Sequence, residues 1–313
     1  MRWGDFRRSD NVDDRSDQVD VGGGGGFSGG GGMRLGGGAI VVIIIASLLF
    51  GVNPLEILGG MQGADPPMPA PPPTRPSQAP PGYGPQIAPP AGAQPAPVRP
   101  QDQTKEMVAR VLGDTEDVWG AVFKTMGSRY DPPKLVLFRG TVTSACGRAT
   151  ASVGPFYCAG DRVLYLDTSF FGDLARRFGA PGDFAQAYVI AHEVGHHVQN
   201  SLGIMRQFDA DTQRTDARGR NALSIRLELQ ADCFAGVWGH FAQARNALEA
   251  GDVEEGLRAA AAVGDDQIQK KSRGYAVPET FTHGSAEQRT RWFRVGFDTG
   301  EFRNCNTFAA KQL

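Results

Sequence analysis

The sequence is short of imidazole and thiol: five His and four Cys in 313 residues. All five His (His192, His196, His197, His240 and His283) fall in the C-terminal half, which places any imidazole chemistry there. There is no long basic block and the formal net charge is −2, so no nucleic acid and no anionic surface is expected as a partner. Large apolar residues are scarce before residue 104 outside one short run, and Gly and Pro are over-represented there. Such a stretch cannot bury enough surface to offset its chain entropy. One folded domain is therefore expected over residues 105–313, long enough for a single core. The Gly-rich stretch at 22–32 lacks the Gly-Lys-Ser/Thr ending of a phosphate loop and a preceding strand, so it is read as disordered rather than phosphate-binding.

Residues 1–34 are expected to be a disordered, cytoplasmic, Gly-rich tail. From Leu35 to Val52 every residue is apolar, Gly or Ser. That run is near the lower limit of the ~20 residues a bilayer needs, and it is read as a transmembrane signal anchor over 35–52. A cleaved signal peptide fits less well, because the leader is too long for an n-region and no clear Ala-x-Ala site follows. Arg2, Arg7, Arg8, Arg15 and Arg34 precede the run and no Arg or Lys follows until Arg75. The positive-inside rule then puts the N-terminus in the cytoplasm and the C-terminal domain outside a single-pass inner membrane, in periplasmic or extracellular space. Residues 53–104 read as a Pro/Ala-rich, polyproline-like tether.

The folded part opens with apolar residues at helical spacing from Met107 to Phe123, one helix with a candidate break at Gly113-Asp114. Lys134–Phe138 and Arg162–Leu166 look like strands, and Ala149–Val153 is a candidate third. Asp167-Thr168-Ser169 reads as a helix cap before Phe170. A second helix starts near Asp183, with Asp183 and Gln186 as a capping pair, and stops at Gly203. Phe184, Tyr188, Ala191, Val198 and Leu202 form its buried stripe. The fold class is α+β, mainly helical, with a small β-sheet and zincin-like active-site helices, preceded by one transmembrane helix and disordered linkers.

Inside that second helix lies Ala191-His192-Glu193-Val194-Gly195-His196-His197. Residues four apart share a helix face, so His192 and His196 reach one metal, and Glu193 can reach a water on it. A catalytic zinc usually takes three protein ligands and keeps one position open. The segment from Ser224 to Trp238 offers the third. Glu228 and Asp232 are four apart on an otherwise apolar helix, a costly pair unless it is matched by a metal or hydrogen bonds. Glu228 is expected to be the third ligand, and Asp232 to hold the outer ring nitrogen of His192. His197 points elsewhere, about 100° round the helix, and reads as structural. His240 has no assigned role.

His192-Glu-x-x-His196 followed by Glu228-x-x-x-Asp232 resembles the gluzincin pattern. More closely, the chain resembles a bacterial family of neutral zinc metallopeptidases. The resemblance rests on the Met1-Arg-Trp opening with Arg8-Ser-Asp-Asn-Val12, the single apolar span, Cys146 and Cys158, the two metal-site helices and the late His283-Gly-Ser-Ala-Glu-Gln-Arg289. It covers most of the chain outside the linkers and departs in no ligand position.

The resemblance implies a membrane-anchored zinc-dependent metallopeptidase with one Zn²⁺ per chain, acting on a peptide or protein of the cell envelope. Zinc-activated water would attack the peptide bond, with Glu193 as general base. Related gluzincins place a late His over the active site, which makes His283 a candidate catalytic donor to the oxyanion. Arg289 either orients the site or lies on the surface of the last helix. The rival reading is a non-catalytic, zinc-stabilised envelope scaffold. The four Cys allow three pairings. Cys146–Cys158 is the sequence-local pair, and Cys233–Cys305 would then tie the Glu228 helix to the C-terminus. A free buried thiol at Cys233 stays open.

Overall fold

The computed structural model of the protein describes residues 1–17 and 100–313. The expected span at 35–52 and most of the Gly-rich and Pro-rich segments lie outside the described residues. Among the described residues no helix is long and apolar enough to cross a membrane. What is described is mainly helical with a small sheet, an α+β arrangement.

Four strands form the sheet: β1 (Val12–Asp14), β2 (Lys134–Phe138), β6 (Val163–Asp167) and β5 (Phe156–Cys158), in that spatial order. β1 and β2 run parallel, as do β2 and β6, whereas β5 is an antiparallel edge beside β6. Side chains alternate across each strand. Leu135, Leu137, Leu164 and Leu166 therefore face the helices, while Val136, Phe138 and Tyr165 face a second, smaller cluster. That cluster is covered by the hairpin β3 (Thr141–Ser144) and β4 (Gly147–Thr150). The expected strand at Ala149–Val153 is thus corrected: its first part pairs in the hairpin, and Ala151–Val153 turns as a 3-10 helix into the edge strand.

Eight helices are described. α1 (Pro100–Thr125) is continuous through Gly113-Asp114 and begins five residues before the expected domain boundary. Pro suits a first helical position, because its φ is preset and it has no donor to leave unpaired. Trp119 of α1 meets Phe234 edge to face with ring centroids 5.3 Å apart. α2 (Phe170–Arg176) follows the sheet. Asp167, not Ser169, closes its entry, accepting from the Ser169 backbone N–H and hydroxyl. Then come α3 (Asp183–Ser201), α4 (Ile204–Thr212), α5 (Ala217–Ala244), α6 (Asp252–Ala262), α7 (Asp265–Arg273) and α8 (Ala286–Thr299). α8 starts with a Ser285/Gln288 capping box, each side chain bonding the other residue's backbone N–H. The expected Asp183/Gln186 cap on α3 is not made. Gly182 precedes that helix without a side-chain cap, and Asp183 instead receives the Met1 ammonium at 2.9 Å.

That contact corrects the expectation of a disordered tail from residue 1. Residues 1–17 fold onto the unit formed by residues 100–313. Met1 and Phe6 join the main core, Ser9 is fully buried, and β1 completes one edge of the sheet. Low apolar content hid this, because most of the partners are charges and backbone groups.

Both disulfides form: Cys146–Cys158 pins the hairpin loop to β5, and Cys233–Cys305 pins α5 to the C-terminal segment. No free Cys remains among the described residues, so the thiol reading of Cys233 is set aside.

Candidate metal centre

α3 and α5 cross at Gly195. A Cβ there would sit 3.0 Å from the Ala231 carbonyl oxygen and 3.1 Å from its Cα, closer than side chains normally pack. Glycine therefore lets the two backbones approach, and the approach carries Glu228 and Asp232 of α5 over His192 and His196 of α3.

One ligand atom from each of His192, His196 and Glu228 lies within 4.8 Å of the others. Glu228 Oε2 is 3.3 Å from His192 Nε2, and Oε1 is 3.5 Å from His196 Nε2. Each ring is fixed from behind. His192 Nδ1 is 2.9 Å from Asp232 Oδ1, and His196 Nδ1 is 2.8 Å from Gln199 Oε1. With both oxygens accepting, the neutral form of each ring carries its proton on Nδ1, which leaves the Nε2 lone pair for a ligand. Two imidazole lone pairs and a carboxylate then converge on one point, an arrangement a shared cation makes favourable. A two-His, one-Glu donor set suits zinc with an open fourth position, so these residues fit the ion that the motif implies.

The charges around the point are uneven. Burial alone would push His192 down, but Asp232 reverses this and raises it to about 9. Burial pushes His196 down to about 4 against the pull of Glu228. Glu228 is driven the other way: burial favours its neutral form, yet His196, His283 and His192 outweigh it and hold the carboxyl well below the usual range. Glu193 lines the cavity beside the three ligands. Burial, with Glu228 adding, pushes it up to about 7.

Behind His192 stands a network that sequence reading recovered only in part. Asp232 is fully buried. It accepts from His192, from the Tyr188 hydroxyl at 2.5 Å, and from Arg289 Nε and an Arg289 terminal N–H at 2.8 and 2.9 Å. Four donors match the roughly four acceptor positions of a carboxylate. Burial raises the Asp232 pKa, and Arg289 and His192 more than offset that, so it is held low. Of the two sequence readings of Arg289, the structure selects the interior one: it is 3% exposed. Tyr188 was read as core, and its hydroxyl was missed. Gln199 was missed altogether. It bonds His196 and donates to the Leu227 carbonyl at 2.7 Å, so it ties α3 to α5 beside the ligand. Its signal in the sequence was the three-residue step from His196, which puts it on the same helix face.

His283 lines the same cavity. Its Nδ1 lies 3.2 Å from Asp265 Oδ1 and 2.9 Å from the Thr282 hydroxyl. The other Asp265 oxygen accepts from the backbone N–H of Thr282 and His283, at 2.6 and 2.7 Å. Burial lowers the His283 pKa, but Asp265 and Glu228 outweigh it and raise it. Its Nε2 is buried with no hydrogen-bond partner. Asp265 carried no sequence signal, since its relation to His283 depends on how two loops meet. His197 faces away from the ligands, with Nε2 2.8 Å from the Asp131 carbonyl. His240 Nδ1 accepts no role in the site either, lying 2.7 Å from the Phe297 carbonyl. The cavity, about 140 Å³, takes its apolar wall from Val153, Phe156, Phe170, Phe178, Met205 and Ile268, among others.

The uncharacterized protein YpfJ of Escherichia coli is 50% identical over 211 residues, which is 66% of this chain and 72% of YpfJ. An uncharacterized protein of Mycobacterium tuberculosis is 43% identical over 223 residues, 68% of this chain and 74% of its own. No solved structure matches the chain. The model of the family described as "Putative neutral zinc metallopeptidase" matches residues 1–308, and the chain belongs to that family.

Proposed function

We propose that this chain is a zinc-dependent peptidase that hydrolyses peptide bonds at the cavity between α3, α5 and the loop carrying His283. The observation that carries the reading is the convergence of His192, His196 and Glu228 within 4.8 Å at a cavity that Glu193 also lines. His192, His196 and Glu228 would hold the ion, one per chain. When bound, zinc supplies a water of pKa about 7 and polarises the scissile carbonyl.

Glu193 takes the proton of the attacking water on its carboxylate and hands it to the leaving amine. Burial raises the pKa of its carboxyl, the direction that helps a base which must later release its proton. His283 lines the cavity, and its buried Nε2 has no hydrogen-bond partner in the protein. That free position assigns it as the donor to the oxyanion that develops on the carbonyl oxygen. Asp265 positions that ring through Nδ1. Asp232 and Gln199 hold the two ligand rings, and Arg289 keeps Asp232 charged. Apolar side chains on the far wall limit water at the site.

A purely structural metal site needs neither a half-buried carboxylic base nor a cavity, and this favours the enzyme over the scaffold. Two disulfides fit an oxidising compartment, which supports proteins outside the cytoplasm as substrates. The test is cleavage of a peptide library by the purified, zinc-loaded chain and its Glu193→Gln variant. Cleavage by the parent and none by a variant that still binds zinc is expected. Equal cleavage by both would overturn the role of Glu193, and no cleavage by either would overturn the peptidase.

A further inference from the structure

We infer that residues 1–17 and the metal-site unit of residues 100–313 lie on the same side of any membrane this chain meets. The orientation read from the sequence, with residue 1 in the cytoplasm and the metal site outside, separates parts that are built as one.

The unit is shaped to hold this segment. Gly113 of α1 lies against the Arg7 carbonyl, and a Cβ there would sit 2.9 Å from the Ser9 nitrogen. Glu116 is 7% exposed. Three of its partners come from the segment: the Ser9 hydroxyl at 2.6 Å, the Asn11 amide at 2.7 Å and an Arg7 N–H at 2.7 Å. The segment thus supplies the donors that a carboxylate at this degree of burial requires. Arg110 returns the contact, donating to the carbonyls of Gly4 and Phe6 at 2.8 and 2.7 Å. β1 caps β2, with the Leu135 N–H on the Asn11 carbonyl at 2.9 Å and the Arg15 N–H on the Leu137 carbonyl at 2.8 Å. Without β1 that sheet edge would present unpaired donors and acceptors.

The same contacts engage three of the five arginines on which the sequence orientation rests. Arg7 pairs with Glu116 and Asp117, Arg8 with Glu106, and Arg15 with Asp13. Arg7 and Arg8 are thus paired with acids of the folded unit, and Arg15 with an acid of the segment itself. Exchange of the segment between two copies would change nothing, since the segment and the unit it docks on would still share a side. The two disulfides give the shared side the character of an oxidising compartment.

The test uses the full chain in cells. Asp10 and Gln213 are both exposed, one in the segment and one in the unit. Asp10→Cys and Gln213→Cys, made separately, are treated with a membrane-impermeant maleimide in intact cells and again after permeabilisation. Equal labelling of the two variants in intact cells is expected, and so is equal labelling of both after permeabilisation. Labelling of one variant and protection of the other in intact cells would overturn the inference. Lys105 Nζ lies 2.8 Å from Asp14 Oδ2, so a carbodiimide should join them as an amide with loss of water. Recovery of the peptide linking Asp14 to Lys105 from the membrane-associated chain is expected. Its absence, with the Lys270–Asp266 link formed as an internal control, would equally overturn the inference.

Discussion

The start and the middle of one helix, α3, each gather acids, and the two ends of that stretch are organised in opposite ways. At the start of α3, Asp183, Asp252 and Glu255 come close enough to be a metal-like group. The Met1 ammonium lies 2.9 Å from Asp183 and 3.2 Å from Asp252, so a cation of the chain itself already neutralises them. Glu255 is turned to the Phe184 backbone N–H. Three turns further on, His192, His196 and Glu228 converge with their outer atoms tied back by Asp232 and Gln199 and their inner atoms facing one another. Proximity of carboxylates is common to both ends. What separates them is where the remaining donors point: one group is satisfied by the protein, and the other is pre-arranged for an ion.

Substitutions at either end sharpen that contrast. Glu193→Gln should lower peptide cleavage by about 10²–10⁴-fold, the range of a lost general base, with zinc content unchanged by elemental analysis. Asp232→Ala leaves Arg289 charged, buried and unpaired. It should cost about 3–5 kcal/mol in denaturant unfolding and weaken zinc binding about 10–100-fold. Gln199→Leu removes a neutral partner from His196 and should weaken zinc binding by about 10-fold, read by competition with a chelating dye. Asp183→Asn at the other end touches a half-buried surface pair. It should cost about 0.2–1 kcal/mol and leave zinc affinity as it was. A loss of zinc on Asp183→Asn as large as that on Asp232→Ala would erase the distinction between the two ends.

Much of the metal centre was legible because helical spacing is a strong constraint. His192 and His196, and Glu228 and Asp232, are each four apart, and that alone fixes which atoms share a face. Tyr188, Gln199 and Arg289 were less legible, because their contacts depend on how α3, α5 and α8 cross. Crossing is set by small residues such as Gly195, which spacing does not reveal. His283 was reachable only through family resemblance. The Asp265 carboxylate that holds it is eighteen residues away and was found only in the fold. The N-terminal segment was misread for a different reason. Apolar content measures burial of side chains, and this segment is held largely by backbone pairing and by arginines on acids. The strands were legible where apolar runs were long, at Lys134–Phe138 and near Val163–Asp167, and not at Phe156–Cys158, where only three residues pair.

The most direct measurement is an anomalous difference map at the zinc absorption edge from crystals of the zinc-loaded chain. One peak bounded by His192 Nε2, His196 Nε2 and Glu228 is expected, with none among Asp183, Asp252 and Glu255. A peak in the acidic group at the start of α3, or none between the two histidines, would contradict the assignment of the metal centre.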